Sequence, residues 1–145
     1  MSEVVSLWPD FAEVAIELPK KILEDQALIF NNNLSGILEC KITSREKPLD
    51  VWESVSIGST KGSQESPQEV SMYIIAPKVG GYRLAILNVV FLISEVYPCK
   101  VENCLDPTSP PMNPKDPEEF KTAIKKVLNS ERVVKAISVL RQQSL

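Results

Sequence analysis

The residues that could do chemistry are few, and their spacing limits what that chemistry could be. Cys40, Cys99 and Cys104 are the strongest candidate nucleophiles and soft metal ligands in the chain. Four residues separate Cys99 from Cys104, whereas redox and zinc motifs place two. The chain contains no histidine. That removes the commonest general base, the usual partner of a catalytic nucleophile and the commonest zinc ligand at once. No metal and no cofactor is therefore expected, and the three thiols read as small buried hydrophobes. An odd number of cysteines without a secretory context points to reduced thiols in a cytosol rather than to a disulfide framework.

The carboxylates Asp10, Glu13, Glu17, Glu39, Glu53 and Glu95 show no paired spacing. Glycosidases and aspartic proteases bring such groups together in space, so spacing alone assigns none here. Gly58-Ser-Thr-Lys-Gly62 imitates a phosphate loop. It lacks the order Gly, four residues, Gly-Lys-Ser/Thr, and no helical pattern follows it. No catalytic residue is assigned. Asn88 lies inside the most apolar run of the chain, and a buried amide without a partner costs about 1–3 kcal/mol. It is either bonded to its neighbours or lines a cleft. With Arg83 and Tyr82 at the entrance of the same run, it forms the candidate ligand-binding set. Trp8, Trp52 and Tyr97 are the candidate interface anchors, since aromatic side chains dominate binding energy at protein contacts.

The elements that must position these residues follow from hydrophobic periodicity. Val70–Ala76 and Tyr82–Ile93 are apolar, β-branched and aromatic runs joined by Lys78-Val-Gly-Gly81, which predicts a hairpin. A shorter alternating run, Tyr97–Cys104, follows. Val70, Met72 and Ile74 face one way and Tyr73 and Ile75 the other, whereas the second strand is apolar on both faces. Gly36–Arg45 alternates as a half-buried strand, and Val51–Ile57 reads as another. Residues 58–68 hold no large apolar side chain and read as a flexible loop.

Asp10 and Glu13 fit a capping box, which would put Phe11, Val14, Ala15 and Leu18 on one face of a short helix. Pro19 either ends that pattern or opens the next. Ile22, Leu23, Gln26, Ala27, Ile29 and Phe30 then recur at helical spacing. Residues 105–117 form a Pro-rich connector. Asp116-Pro-Glu-Glu119 opens a helix whose apolar face is Phe120, Ala123, Ile124, Val127 and Leu128. Ser130 is placed to cap a last helix that buries Val133, Val134, Ile137 and Leu140. Strands in the middle and helices at the ends give a single α+β domain over residues 1–145. Its antiparallel sheet has about four to five strands, with N-terminal and C-terminal helices packed on one face.

Sixteen basic residues against 19 acidic ones give a net charge of −3, so no nucleic-acid partner is expected. The longest apolar run, Leu84–Ile93, is half the length of a membrane helix, and no signal peptide is expected. A soluble, cytoplasmic protein is expected. Pro19-Lys-Lys-Ile-Leu-Glu-Asp-Gln-Ala27, Tyr73-Ile-Ile-Ala-Pro77, Tyr82-Arg-Leu and Tyr97-Pro98 resemble patterns in small bacterial proteins of uncharacterised families. The resemblance implies a bacterial cytosolic protein and carries over no catalytic residue. The favoured function is a non-catalytic binding or assembly module acting through protein contacts, with a homodimer as its natural form. The alternative is a small enzyme or ligand-binding protein with a cleft between sheet and helices.

Overall fold

Four strands follow one another in the sheet as they do in the chain: Glu39–Glu46 (β1), Gln68–Ala76 (β2), Tyr82–Phe91 (β3) and Lys100–Asn103 (β4). The computed structural model describes residues 4–11, 15–47 and 66–145. Every neighbouring pair is antiparallel. Three helices complete the described fold: Pro19–Leu34 (α1), Pro117–Leu128 (α2) and Glu131–Gln143 (α3). The architecture is α+β, as the clustering of strand and helix patterns predicts. The expected strand Val51–Ile57, residues 58–65 of the expected loop, Glu13 of the capping box, and Trp52 lie outside the described residues. No described helix is long and apolar enough to cross a membrane.

The hairpin is built as its sequence dictates. A single 3-10 turn, Pro77–Val79, leads into Gly80 at φ 65° and Gly81 at φ 73°, a left-handed pair that only glycine adopts without strain. The Gly81 amide donates to the Ala76 carbonyl at 3.1 Å and closes the turn. Cα pairing runs from Ala76 opposite Tyr82 to Gln68 opposite Phe91, with a register shift between Met72 and Tyr73 that leaves Ile86 as the extra residue of β3. β4 is short: it covers only Leu87–Val90 of β3, and on its other side Val101 forms an isolated bridge with Met112. The first half of β3, Tyr82–Ala85, has no strand beside it on the β4 flank among the described residues.

Cys40, Val70, Met72, Ile74, Ala76, Ile86, Leu87 and Val89 face the helices and form one core with Ile22, Leu23, Ala27, Phe120, Ile124, Val127, Val133 and Leu140. Burying each large apolar side chain contributes about 1.5–3 kcal/mol. On the opposite face Val90 and Leu92 form a small second cluster, so β3 has buried apolar residues on both faces, as its composition predicts.

Some sequence expectations give way. Residues 15–18 are not helical, and Phe11 and Leu18 are exposed rather than packed on one helical face. Pro19 opens α1 instead of ending an earlier helix. Ile29 and Val134 are exposed because α1 and α3 each bury a narrower stripe than their composition allows. In α3 that stripe is Val133, Ile137 and Leu140, and Val134 is turned away from it by about 100°. Ser130 does not cap α3 with its side chain. Its hydroxyl donates to the Val127 carbonyl at 2.7 Å and so closes the preceding helix. Asp116 does cap α2, accepting from the Glu119 amide at 2.8 Å.

Candidate interaction surface

The segment before α1 carries large apolar side chains that are exposed to solvent. Val4, Val5, Leu7, Trp8 and Phe11 are all exposed, Leu7 at 96% and Trp8 at 77%. Trp8 and Phe11 associate with each other, ring centroids 6.0 Å apart, while the Trp8 amide donates to Ser6 Oγ at 3.2 Å. Large hydrophobics spread singly over a surface are ordinary, but a contiguous run marks a contact site. The segment is pinned at its far end. The Tyr97 hydroxyl donates to the Glu17 carbonyl at 2.7 Å, and Lys121 Nζ lies 2.9 Å from Glu17 Oε2. The hydrogen bond that Lys121 donates to the Glu17 carboxylate raises the Lys121 pKa above its ordinary value. Tyr97 packs edge-on against Phe120, and burial raises its phenol pKa. The expected interface residue Tyr97 is therefore a half-buried anchor for the segment, whereas Trp8 stands in the open.

A second apolar surface lies at the other end of the molecule. Val79, Tyr82 and Leu84 of the hairpin face Ala136, Val139 and Leu140 of α3 across an open groove of about 560 Å³. Arg132 and Lys135 also line it. Arg132 reaches Asp106 only at 4.0 Å. Asp106 is held by its neighbour Thr108, whose hydroxyl bonds it at 2.6 Å and lowers its pKa. The groove therefore combines an apolar floor with a cationic wall. Tyr82 enters it because the two left-handed glycines turn the chain directly before β3.

No protein-family model matches the chain, and no curated protein or solved structure shows significant similarity to it. Its function is therefore read from the chemistry of its own surfaces.

The candidate ligand-binding set does not converge. Asn88 lies opposite Ser71 on the sheet face turned away from the helices, and Ser71 Oγ donates to its Oδ1 at 2.7 Å. Arg83 stands over the Tyr73 ring, 4.8 Å from its centroid, in a cation–π contact on that same face. Tyr82 points to the helix side. Glu69, buried on the outer face, is paired with Arg45 at 2.8 Å and Lys47 at 3.5 Å.

The thiols are placed for packing. Cys40 and Cys99 are buried, and burial pushes both up to about 12. Cys104 is half-buried and is pushed up to about 11, again chiefly by burial. A thiol becomes an efficient nucleophile when its pKa is lowered, so all three are shifted in the unreactive direction. Among the described residues no three Cys, Asp or Glu side chains gather as a metal site.

A smaller cavity of about 220 Å³ lies between the sheet and the helices, walled by Ile29, Phe30, Met72, Ile74, Ile86 and Ile137, with Cys40 and Gln26 at its margin. Sequence patterning missed the groove, because Ala136 and Val139 belong to no recognisable motif. The available signal was the presence of apolar residues on more than one side of the last helix.

Proposed function

We propose that the chain is a non-catalytic module that works through protein contacts and associates with itself, in the cytosol of a bacterial cell. One observation carries this reading: Val4, Val5, Leu7, Trp8 and Phe11 lie uncovered in a single short stretch of the same molecule that holds an open apolar groove. Leaving a Trp or Phe side chain in water forgoes about 1.5–3 kcal/mol of burial, and contact with a partner recovers it. The free thiols fit a reducing compartment. The acidic net charge argues against a nucleic-acid partner.

The test is sedimentation velocity of the full chain across a micromolar range, together with capture of partners on the immobilised chain. Concentration-dependent association, or one protein retained by the wild-type chain and lost with Trp8→Ala, supports the reading. A monomer at every concentration with nothing specifically retained refutes it.

A second reading is favoured by the cavity beside Cys40: a protein that holds a small apolar ligand between sheet and helices. Its volume suits a compact hydrocarbon or aromatic ring better than a drug-sized molecule, which needs about 300 Å³ or more. Reproducible thermal stabilisation by one such class supports this reading, and a flat screen removes it.

A further inference from the structure

We propose that the groove receives the Trp8–Phe11 pair of a second copy of this chain, and that the two chains exchange segments reciprocally in a closed dimer. The inference rests on the self-association reading above and names the surfaces that carry it. Three observations converge on this occupant.

The first is charge. Residues 1–18 contain Glu3, Asp10, Glu13 and Glu17 and no basic residue. The groove is lined on its charged side by Arg132 and Lys135. An acidic, apolar segment and an apolar groove with a cationic wall are complementary, which both favours this pairing and steers it.

The second is fit. The groove volume of about 560 Å³ falls in the range that encloses a drug-sized ligand, which leaves room for a Trp and a Phe side chain together. The two rings already lie side by side, so little ordering is required on docking.

The third is reach. The Glu17 latch holds the segment beside Lys121 and Tyr97, at the start of α1. The end of α1 adjoins Pro77 at the hairpin turn, the end of the sheet where the groove begins with Val79. The 16 residues of α1 span about 24 Å. Phe11 precedes Glu17 by six residues and, fully extended, extends about 20 Å. Trp8 and Phe11 are exposed and the groove is open, so the pair does not fill the groove of its own chain, and a second copy supplies the occupant. If each chain gives and receives, the contact closes with two-fold symmetry.

Full-length Trp8→Ala removes the anchor and leaves the groove intact; full-length Ala136→Arg blocks the groove and leaves the anchor intact. Sedimentation velocity should show each variant alone weakened at least about tenfold in dimer dissociation constant, as for loss of a central aromatic anchor. An equimolar mixture should recover part of the association, because the intact segment of one chain meets the intact groove of the other. Circular dichroism melts confirm folding, and Val139→Asp replaces Ala136→Arg if the latter does not fold. A mixture that stays as dissociated as its components overturns the exchange. So does a wild-type dimer that neither variant weakens, although self-association itself then stands. A wild-type monomer overturns the proposal as well, and leaves partner capture to decide the broader reading.

Discussion

The three thiols show how burial sets reactivity. Cys40 and Cys99 stand near 12 and Cys104 near 11, against about 8.5 for a thiol in the unfolded chain. At pH 8 their thiolate fraction is lower than that of a free thiol by on the order of a hundredfold to a thousandfold. Native protein should accordingly react slowly with a thiol-specific chromogen, Cys104 first, and all three should react at once in denaturant. The same shifts predict a pH dependence. The folded state favours the protonated thiol, so its contribution is complete below the unfolded value near 8.5 and is lost as pH rises toward 11–12. Melting temperature should fall across that window, and Cys99→Ala should flatten part of the slope. Asn88 makes a related point. Its sequence context demands a partner but does not say which, and Ser71 becomes visible only once the register of β2 and β3 is known. Ser71→Ala should cost about 0.5–1.5 kcal/mol in chemical denaturation.

Among the elements, α2 was fully legible and α3 only partly. In α2 the cap, the proline, the acidic first turn and the apolar spacing all agree, and the helix runs from Pro117 to Leu128 with Asp116 at its cap. Asp116→Ala should lower stability by about 1 kcal/mol. Phe120→Ala, which empties a fully buried site and removes the ring under Tyr97, should cost about 3–5 kcal/mol. In α3 the pattern permitted a wide buried face, and packing used a narrow one. That choice depends on where the sheet ends, which no local spacing encodes. The device at β1 was equally hidden. Asn31 accepts from the Cys40 amide at 2.6 Å and donates to the Cys40 carbonyl at 3.1 Å, taking the place of a neighbouring strand. Its position in an Asn-rich helix end read as a stop signal. Asn31→Ala should cost about 1–3 kcal/mol in denaturant titration and raise the tendency to aggregate on warming, measured by light scattering.

At the scale of the whole molecule, the hairpin, the order of the elements and the one-sided helical layer all follow from patterning, because burial imposes period on sequence. The groove and the uncovered segment do not, since a surface left apolar looks the same in sequence as one that is buried. The half-covered flank of β3 has a consequence of its own. Beside β1, the backbone at Cys40 is occupied by Asn31, and Lys41, Arg45 and Glu46 add charge to that margin. Beside β3, no strand pairs with Tyr82–Ala85 on the β4 flank among the described residues, and Tyr82 and Leu84 line the groove. A strand laid beside Tyr82–Ala85 would therefore extend the sheet next to the groove, whereas at Cys40 the Asn31 amide already fills that place.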